Sequence, residues 1–218
     1  MNDFKWIKVI ETTEHTTMWE IIMSVFLGIG LAAACGFRIF LPMFLASLAS
    51  YFAPDMIPMG ETFAWVGSIP AMITFGAATA LEIFAYYIPW FDNLLDTIAV
   101  PLATIAGSVV AIAMIGDVDA WIRWPLAIIA GGGAAGIIKG GAAATRATSS
   151  IATAGIGNPI VSTAETGGSI LLSVLSIIGG AIMAIIVILI VLGLVYTSFK
   201  LFFKRLFKKS KPLVEVPT

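Results

Sequence analysis

The stretch GGGAAGIIKGGAAATR (131–146) carries Gly132, Gly136, Gly140 and Ala144 at four-residue spacing, with Arg146 two positions on. Residues four apart lie on one face of a helix, so this reads as a ridge of small residues ending in a buried cation. Working back along the chain, SVFLGIGLAAACGFR (24–38) repeats the arrangement: Ser24, Gly28, Ala32 and Gly36 lie four apart, and Arg38 follows two residues later. Small residues on one face let two backbones approach closely within a bilayer. Gly28, Ala32, Gly36, Gly132, Gly136 and Gly140 are therefore expected to serve helix packing. One such ridge is common in membrane helices, but two with an arginine in the same phase predict a duplicated unit.

The flanking sequence agrees. Pro89 precedes Asp96-Thr97 and an apolar helix, and Pro159 precedes Glu165-Thr166 and another. The expected organisation is a polar segment over 1–17, a first membrane unit over 18–116 with an additional helix at 65–88, a second unit over 122–199, and a basic tail over 200–218. Spans of about 20 residues are needed to cross hydrocarbon. Five crossings are expected: 18–53 (broken by Gly36, Arg38 and Pro42), 65–88, 93–115, 122–146 and 159–200, the last bent near Gly179-Gly180. Tyr86 and Tyr87 read as an interfacial aromatic belt. Three crossings separate equivalent points, so the second unit is expected to be inverted relative to the first, a plan common among transporters.

Composition sets the class. Of 218 residues, 59% are hydrophobic and only 11% charged, against about 25% charged in soluble domains, and mean hydropathy is +1.01. The fold class is thus all-α, a polytopic transmembrane bundle with broken or re-entrant segments. Lys200, Lys204, Arg205, Lys208, Lys209 and Lys211 hold half of the 12 Lys and Arg residues directly after the most apolar helix. By the positive-inside rule this tail is expected in the cytoplasm. No basic n-region with a short apolar core opens the chain, so a removable signal peptide is not expected. A single cysteine, Cys35, leaves no internal disulfide, and a single histidine, His15, makes no metal centre by itself. Basic residues are not spread over a surface, so nucleic acid is not an expected partner.

GLAAACGFRIFLP (30–42), LEIFAYYIPWFDNLLDTI (81–98), GGGAAGIIKGGAAATR (131–146) and GNPIVSTAE (157–165) together resemble an uncharacterised bacterial integral membrane family, domain of unknown function 4126. The resemblance covers about residues 28–190. It implies an inner-membrane, multi-pass protein and supplies neither substrate nor reaction.

Ions within hydrocarbon are costly and usually mark pathways, proton relays or internal pairs. Arg38 and Arg146 stay protonated and need carboxylates, carbonyls or a bound anion. A salt bridge between the units, to Asp96 or Glu165, competes with an anion- or lipid-phosphate site. Asp92 and Asp96 share a helix face, Asp92 as an N-cap and Asp96 one turn deeper. Asp96 and Glu165 are the best candidates for a proton or cation site. Glu82 is expected to face the interior, hydrogen-bonded to Tyr86 or sharing a cation with Asp96. Thr145, Thr148, Ser149, Ser150, Thr153 and Asn158 are expected to line a polar vestibule, with residues 147–158 non-helical at membrane depth. Lys139 either snorkels or joins the charges.

The substrate or ion candidates are thus Arg38, Glu82, Asp92, Asp96, Arg146 and Glu165. No phosphate loop, dinucleotide fingerprint, GxSxG or HExxH occurs, so no enzyme, cofactor or metal is expected. The leading expectation is a small transporter or channel-like carrier, proton- or cation-linked. The alternatives are a non-transporting membrane scaffold and a protein that binds or translocates lipid phosphate. Expected partners are the lipid bilayer, a small ion or lipid headgroup, and further copies of the chain in a homo-oligomer.

Overall fold

The computed structural model describes residues 18–179 apart from 58, 60 and 117, with scattered helical positions between 186 and 200, and gives only the backbone of 61 and 89–94. The 1–17 segment, the Asp92 side chain, the Gly179-Gly180 bend and the basic tail therefore lie outside the described residues.

Every regular element among the described residues is helical: α1 (Met18–Cys35), α2 (Phe40–Phe52), α3 (Ile69–Ala85), α4 (Pro89–Met114), α5 (Ala120–Leu126), α6 (Gly133–Thr153) and α7 (Asn158–Gly179). A π-helical segment, Ala127–Gly132, joins α5 to α6 in one continuous 34-residue rod. Short 3-10 turns at Pro54–Met56 and Glu61–Gly67 link α2 to α3. Among the described residues, four helices are long and apolar enough to cross a membrane: Met18–Cys35, Leu95–Met114, Ala120–Thr153 and Asn158–Gly179. The chain is a membrane protein. The span expected at 65–88 forms the shorter, 17-residue α3.

α1 is the axis of the bundle. Leu27, Leu31, Ala32, Ala33, Ala34 and Cys35 are all buried, as expected of a helix that is apolar on every side. It is wrapped by α4, α6 and α7. Leu27, Leu31 and Cys35 cluster with Val110, Ala113 and Met114 of α4 and Ala135 of α6. Ile29, Ala33 and Ala34 cluster with Ile138 of α6 and Leu172 of α7. The outward side chains, such as Ile73, Phe84, Ile105, Ile129 and Ile160, are apolar and exposed, the surface hydrocarbon requires.

The small-residue ridges pack as expected with one exception. A Cβ on Gly28 would lie 3.2 Å from the Ala111 carbonyl oxygen on α4, and one on Gly36 would lie 2.7 Å from the Ala135 carbonyl oxygen on α6. Ala32 is fully buried, and a Cβ on Gly136 would lie 2.6 Å from the Thr104 hydroxyl of α4. Gly132 is pressed against Ser108 of the same helix. Gly140 departs from this: a Cβ there would meet nothing within 4 Å. A further close α4 contact is one the ridge spacing does not reveal. A Cβ on Gly107 would come within 2.5 Å of Ala135 Cβ and 3.0 Å of the Gly131 carbonyl oxygen.

Three expectations need correction. The first crossing is broken at Gly36 and Arg38 as expected, but not at Pro42. It breaks over residues 36–39, and Pro42 lies in the first turn of α2, where its missing N–H has no helical partner to lose. Residues 147–153 are not an irregular stretch, since α6 continues to Thr153 and only 154–157 turn, with Ala154 at φ 51°. The small polar residues are tolerated in helix because Thr145, Thr148 and Thr153 bond the carbonyls of Gly141, Ala144 and Ser149 four residues back, a local satisfaction open to hydroxyls. These threonines are exposed, and Ser150 and Asn158 pair with each other across the turn, so the six residues do not enclose a vestibule. Finally, Tyr86 is only 3% exposed and does not belong to an interfacial belt. Tyr87 is exposed and bonds Thr163 of α7 at 2.8 Å.

Candidate functional site: a buried charge cluster around Tyr86

The break after α1 leaves a turn in which the amides of Gly36, Phe37 and Arg38 bond back to Ala33 and Ala34. Arg38 thereby projects into the bundle and is fully buried. Its Nε donates to the Thr166 hydroxyl at 3.0 Å, and its Nη2 donates to the Ser162 carbonyl at 2.9 Å and to the Ser162 hydroxyl at 2.5 Å, all on α7. Ser169, one turn on, donates to the Ala34 carbonyl at 3.1 Å. The first arginine is thus satisfied by hydroxyls and a carbonyl, not by a carboxylate.

Arg146, on α6, takes the acids. Its Nε donates to Glu165 Oε1 at 2.9 Å and its Nη2 to Glu165 Oε2. This two-pronged pairing exploits the planar fork of the guanidinium. Its Nη1 reaches Asp96 of α4 at 3.3 Å. The side chains of Arg146 and Glu165 are 2% and 5% exposed, whereas that of Asp96 is 23% exposed. One cation is therefore shared by a closed acid and an open one, carried on different helices.

Glu82 serves a different end. The residues opening α2 offer no side chain able to cap the helix. Glu82, from α3, accepts instead from the amides of Ile39 at 2.8 Å and Phe40 at 3.0 Å. A carboxylate at a helix N-terminus satisfies orphan donors and complements the helix dipole. It neither bonds Tyr86 nor shares a cation with Asp96, whose partner is Arg146; the backbone of α2 claims both of its oxygens.

Tyr86 ends α3, and its ring is the meeting point of three cations. Arg146 Cζ lies 3.9 Å from the ring centroid, Arg38 Cζ 4.4 Å and Lys139 Nζ 4.9 Å. An aromatic face attracts cations through its quadrupole, by about 2 kcal/mol where water is excluded. Lys139 does not snorkel. It is 1% exposed and donates to the Phe37 carbonyl at 3.3 Å. Three cations thus face three carboxylates, Glu82, Asp96 and Glu165, in one secluded centre.

A lateral groove of about 450 Å³ opens between α3 and α4, lined by Phe40, Leu81, Leu95 and Leu102, with Glu82 and Tyr86 among its walls. α3 packs on α2 and on the 3-10 turn before it, which leaves this side of the cluster covered by Tyr86.

A family model, the domain of unknown function DUF4126, matches residues 25–200. The chain belongs to that family. The matched DUF4126 region contains every residue of the cluster. No curated protein and no solved structure matches the chain.

The structure thus brings together Arg38, Glu82, Asp96, Arg146 and Glu165. Sequence reasoning gave Tyr86 only as a hydrogen-bond partner of Glu82 or a belt residue, left Ser162, Thr166 and Ser169 out of the site and did not decide Lys139. Two signals were available. Lys139 precedes Arg146 by seven residues, two turns on one face. Ser162, Thr166, Ser169, Ser173 and Ser176 step by four and three, a hydroxyl stripe that lies buried or half-buried along α7.

Proposed function

We propose that this protein is a small carrier of the bacterial inner membrane, built from two inverted units, with its basic tail in the cytoplasm and its transport step linked to a proton. One observation carries the reading: Arg146 is held at once by Glu165, which is closed, and by Asp96, which is partly open. A proton arriving at Asp96 neutralises one of the two acids, and Glu165 then remains as the charged acid on the guanidinium. Arg38, Lys139, Tyr86 and Glu82 complete the charged surroundings of that exchange. Opposed charges in a membrane centre suit such a relay, and the helix break at residues 36–39 is the kind of interruption found where transporters place their sites.

Proteoliposomes loaded with the pH dye pyranine, with valinomycin and potassium to balance charge, test this after an external acid pulse. Wild-type vesicles should acidify faster than protein-free vesicles in at least one of sodium, potassium, chloride or nitrate media. Asp96→Asn together with Glu165→Gln should remove the difference. Equal rates for wild-type and empty vesicles, or for wild type and the double variant, would overturn the reading.

A scaffold reading has its own support. The Glu82 cap and the Arg146 fork tie α3 to α2 and α6 to α7 and α4. Under that reading the same double variant loses thermal stability, while proton flux equals that of empty vesicles throughout.

A further inference from the structure

We propose that the ammonium of Lys139 and the free edge of the Arg38 guanidinium form a binding site for a small monovalent anion at the centre of the bundle. The three cations of the cluster are not equally served. Arg146 holds two carboxylates. Among the described residues, neither Arg38 nor Lys139 forms a salt bridge, although they are 0% and 1% exposed. Arg38 Nη1 is buried and meets no acceptor. Lys139, with three N–H donors, has one carbonyl, at the length of a weak bond. The carboxylate of Glu82 accepts from the amides of Ile39 and Phe40, and among the described residues it makes no hydrogen bond or ion pair with either cation.

These two cations are neighbours. Both lie within 5 Å of the centroid of the Tyr86 ring, and Lys139 bonds the carbonyl of Phe37, the residue before Arg38. Buried cations of this kind demand acceptors, and charge-assisted bonds to an anion are the strongest they can make. Both side chains are shut off from the surface, so the proposed ligand is an ion of one to a few atoms, such as chloride or nitrate. The charge fixes the valence. Three cations against three acids balance, so one proton taken up at Asp96 is compensated by one monovalent anion. The assignment rests on the carrier reading for the anion's role as cargo, and on the geometry alone for its binding.

The test uses the full-length protein in detergent, in sodium gluconate at constant ionic strength, titrated with sodium chloride or sodium nitrate. Thermal unfolding should shift upward and saturate with either anion. Lys139→Met and Arg38→Lys should each weaken the apparent affinity at least about tenfold, the loss of one charge-assisted contact. Should either variant fail to fold, broadening of the chloride NMR line by wild-type protein, reversed by nitrate, gives the same answer without substitution. A response identical in chloride, nitrate and gluconate overturns the site. So does a shift that appears only in vesicles containing phosphatidylglycerol, which would assign the cations to lipid phosphate. Saturable binding with proton flux no faster than that of empty vesicles supports the site and removes the carrier; proton flux above that of empty vesicles and indifferent to the anion, with no binding, does the reverse.

Discussion

Arg146→Met is the substitution whose cost the structure specifies best. The change keeps an unbranched apolar stem and removes the fork that holds Glu165. It leaves a carboxylate only 5% exposed without its cation. Removing one partner of a buried pair costs about 3–5 kcal/mol, because the survivor stays desolvated and uncompensated. Asp96 also loses its bond to Arg146, but at 23% exposure it is partly screened and adds less. In a chain of this length each kcal/mol moves the unfolding midpoint by about 2–4 °C, so the single variant should melt about 6–20 °C below wild type. Arg146→Met combined with Glu165→Leu should recover most of that loss, since replacing both members of a buried pair by apolar groups is often neutral. Tryptophan fluorescence during heating in detergent reads both. A single variant within about 2 °C of wild type, or a double variant no better than the single, would refute the claim that Arg146 and Glu165 are coupled in a dry centre.

Other consequences are simpler to read. Glu82→Ala uncaps α2 and should cost about 1–2 kcal/mol, with faster hydrogen exchange at the Ile39 and Phe40 amides by mass spectrometry. Tyr86→Leu should destabilise by about 2 kcal/mol or more through loss of the cation-binding face, whereas Tyr86→Phe should stay close to wild type in the same melt. Gly107→Ala forces α4 from α6 and should lower the melting midpoint, while Gly140→Ala, with open space around it, should be neutral or stabilise by up to about 1 kcal/mol.

The helices were legible because a bilayer imposes one rule, long apolar stretches, and the chain obeys it openly. The pairing of Arg146 with Asp96 and Glu165 was legible as well: both ridges end in an arginine, and ions in hydrocarbon must find opposite charge. What escaped was the partner of each remaining ion. Nothing in the FRIF sequence at 37–40 can cap a helix, so the cap for α2 comes from Glu82, more than 40 residues away; local reasoning has no access to it. Arg38 took hydroxyls and a carbonyl because α7 presents Ser162 and Thr166 at that level, whereas Glu165 lies one residue round the helix, turned towards α6. Tyr86 looked interfacial because it stands beside Tyr87 and near Pro89. Its burial follows from where α3 ends in space, and α3 ends against the cluster. The serine- and threonine-rich run at 147–158 misled for a chemical reason: a hydroxyl bonded to its own helix satisfies itself, so polarity there signals neither a loop nor a cavity.

The phenol ring at the end of α3 has a mechanical corollary. α3 leans on α2 and on the preceding turn, and its far end is pinned by one aromatic plate against three positive groups. Any swing of that helix towards the lipid must pull the plate from all three at once and drop the cap on α2 in the same stroke. The ring and the cap on α2 thus sit on one helix, and together with the Tyr87–Thr163 bond they fasten that helix over the charges.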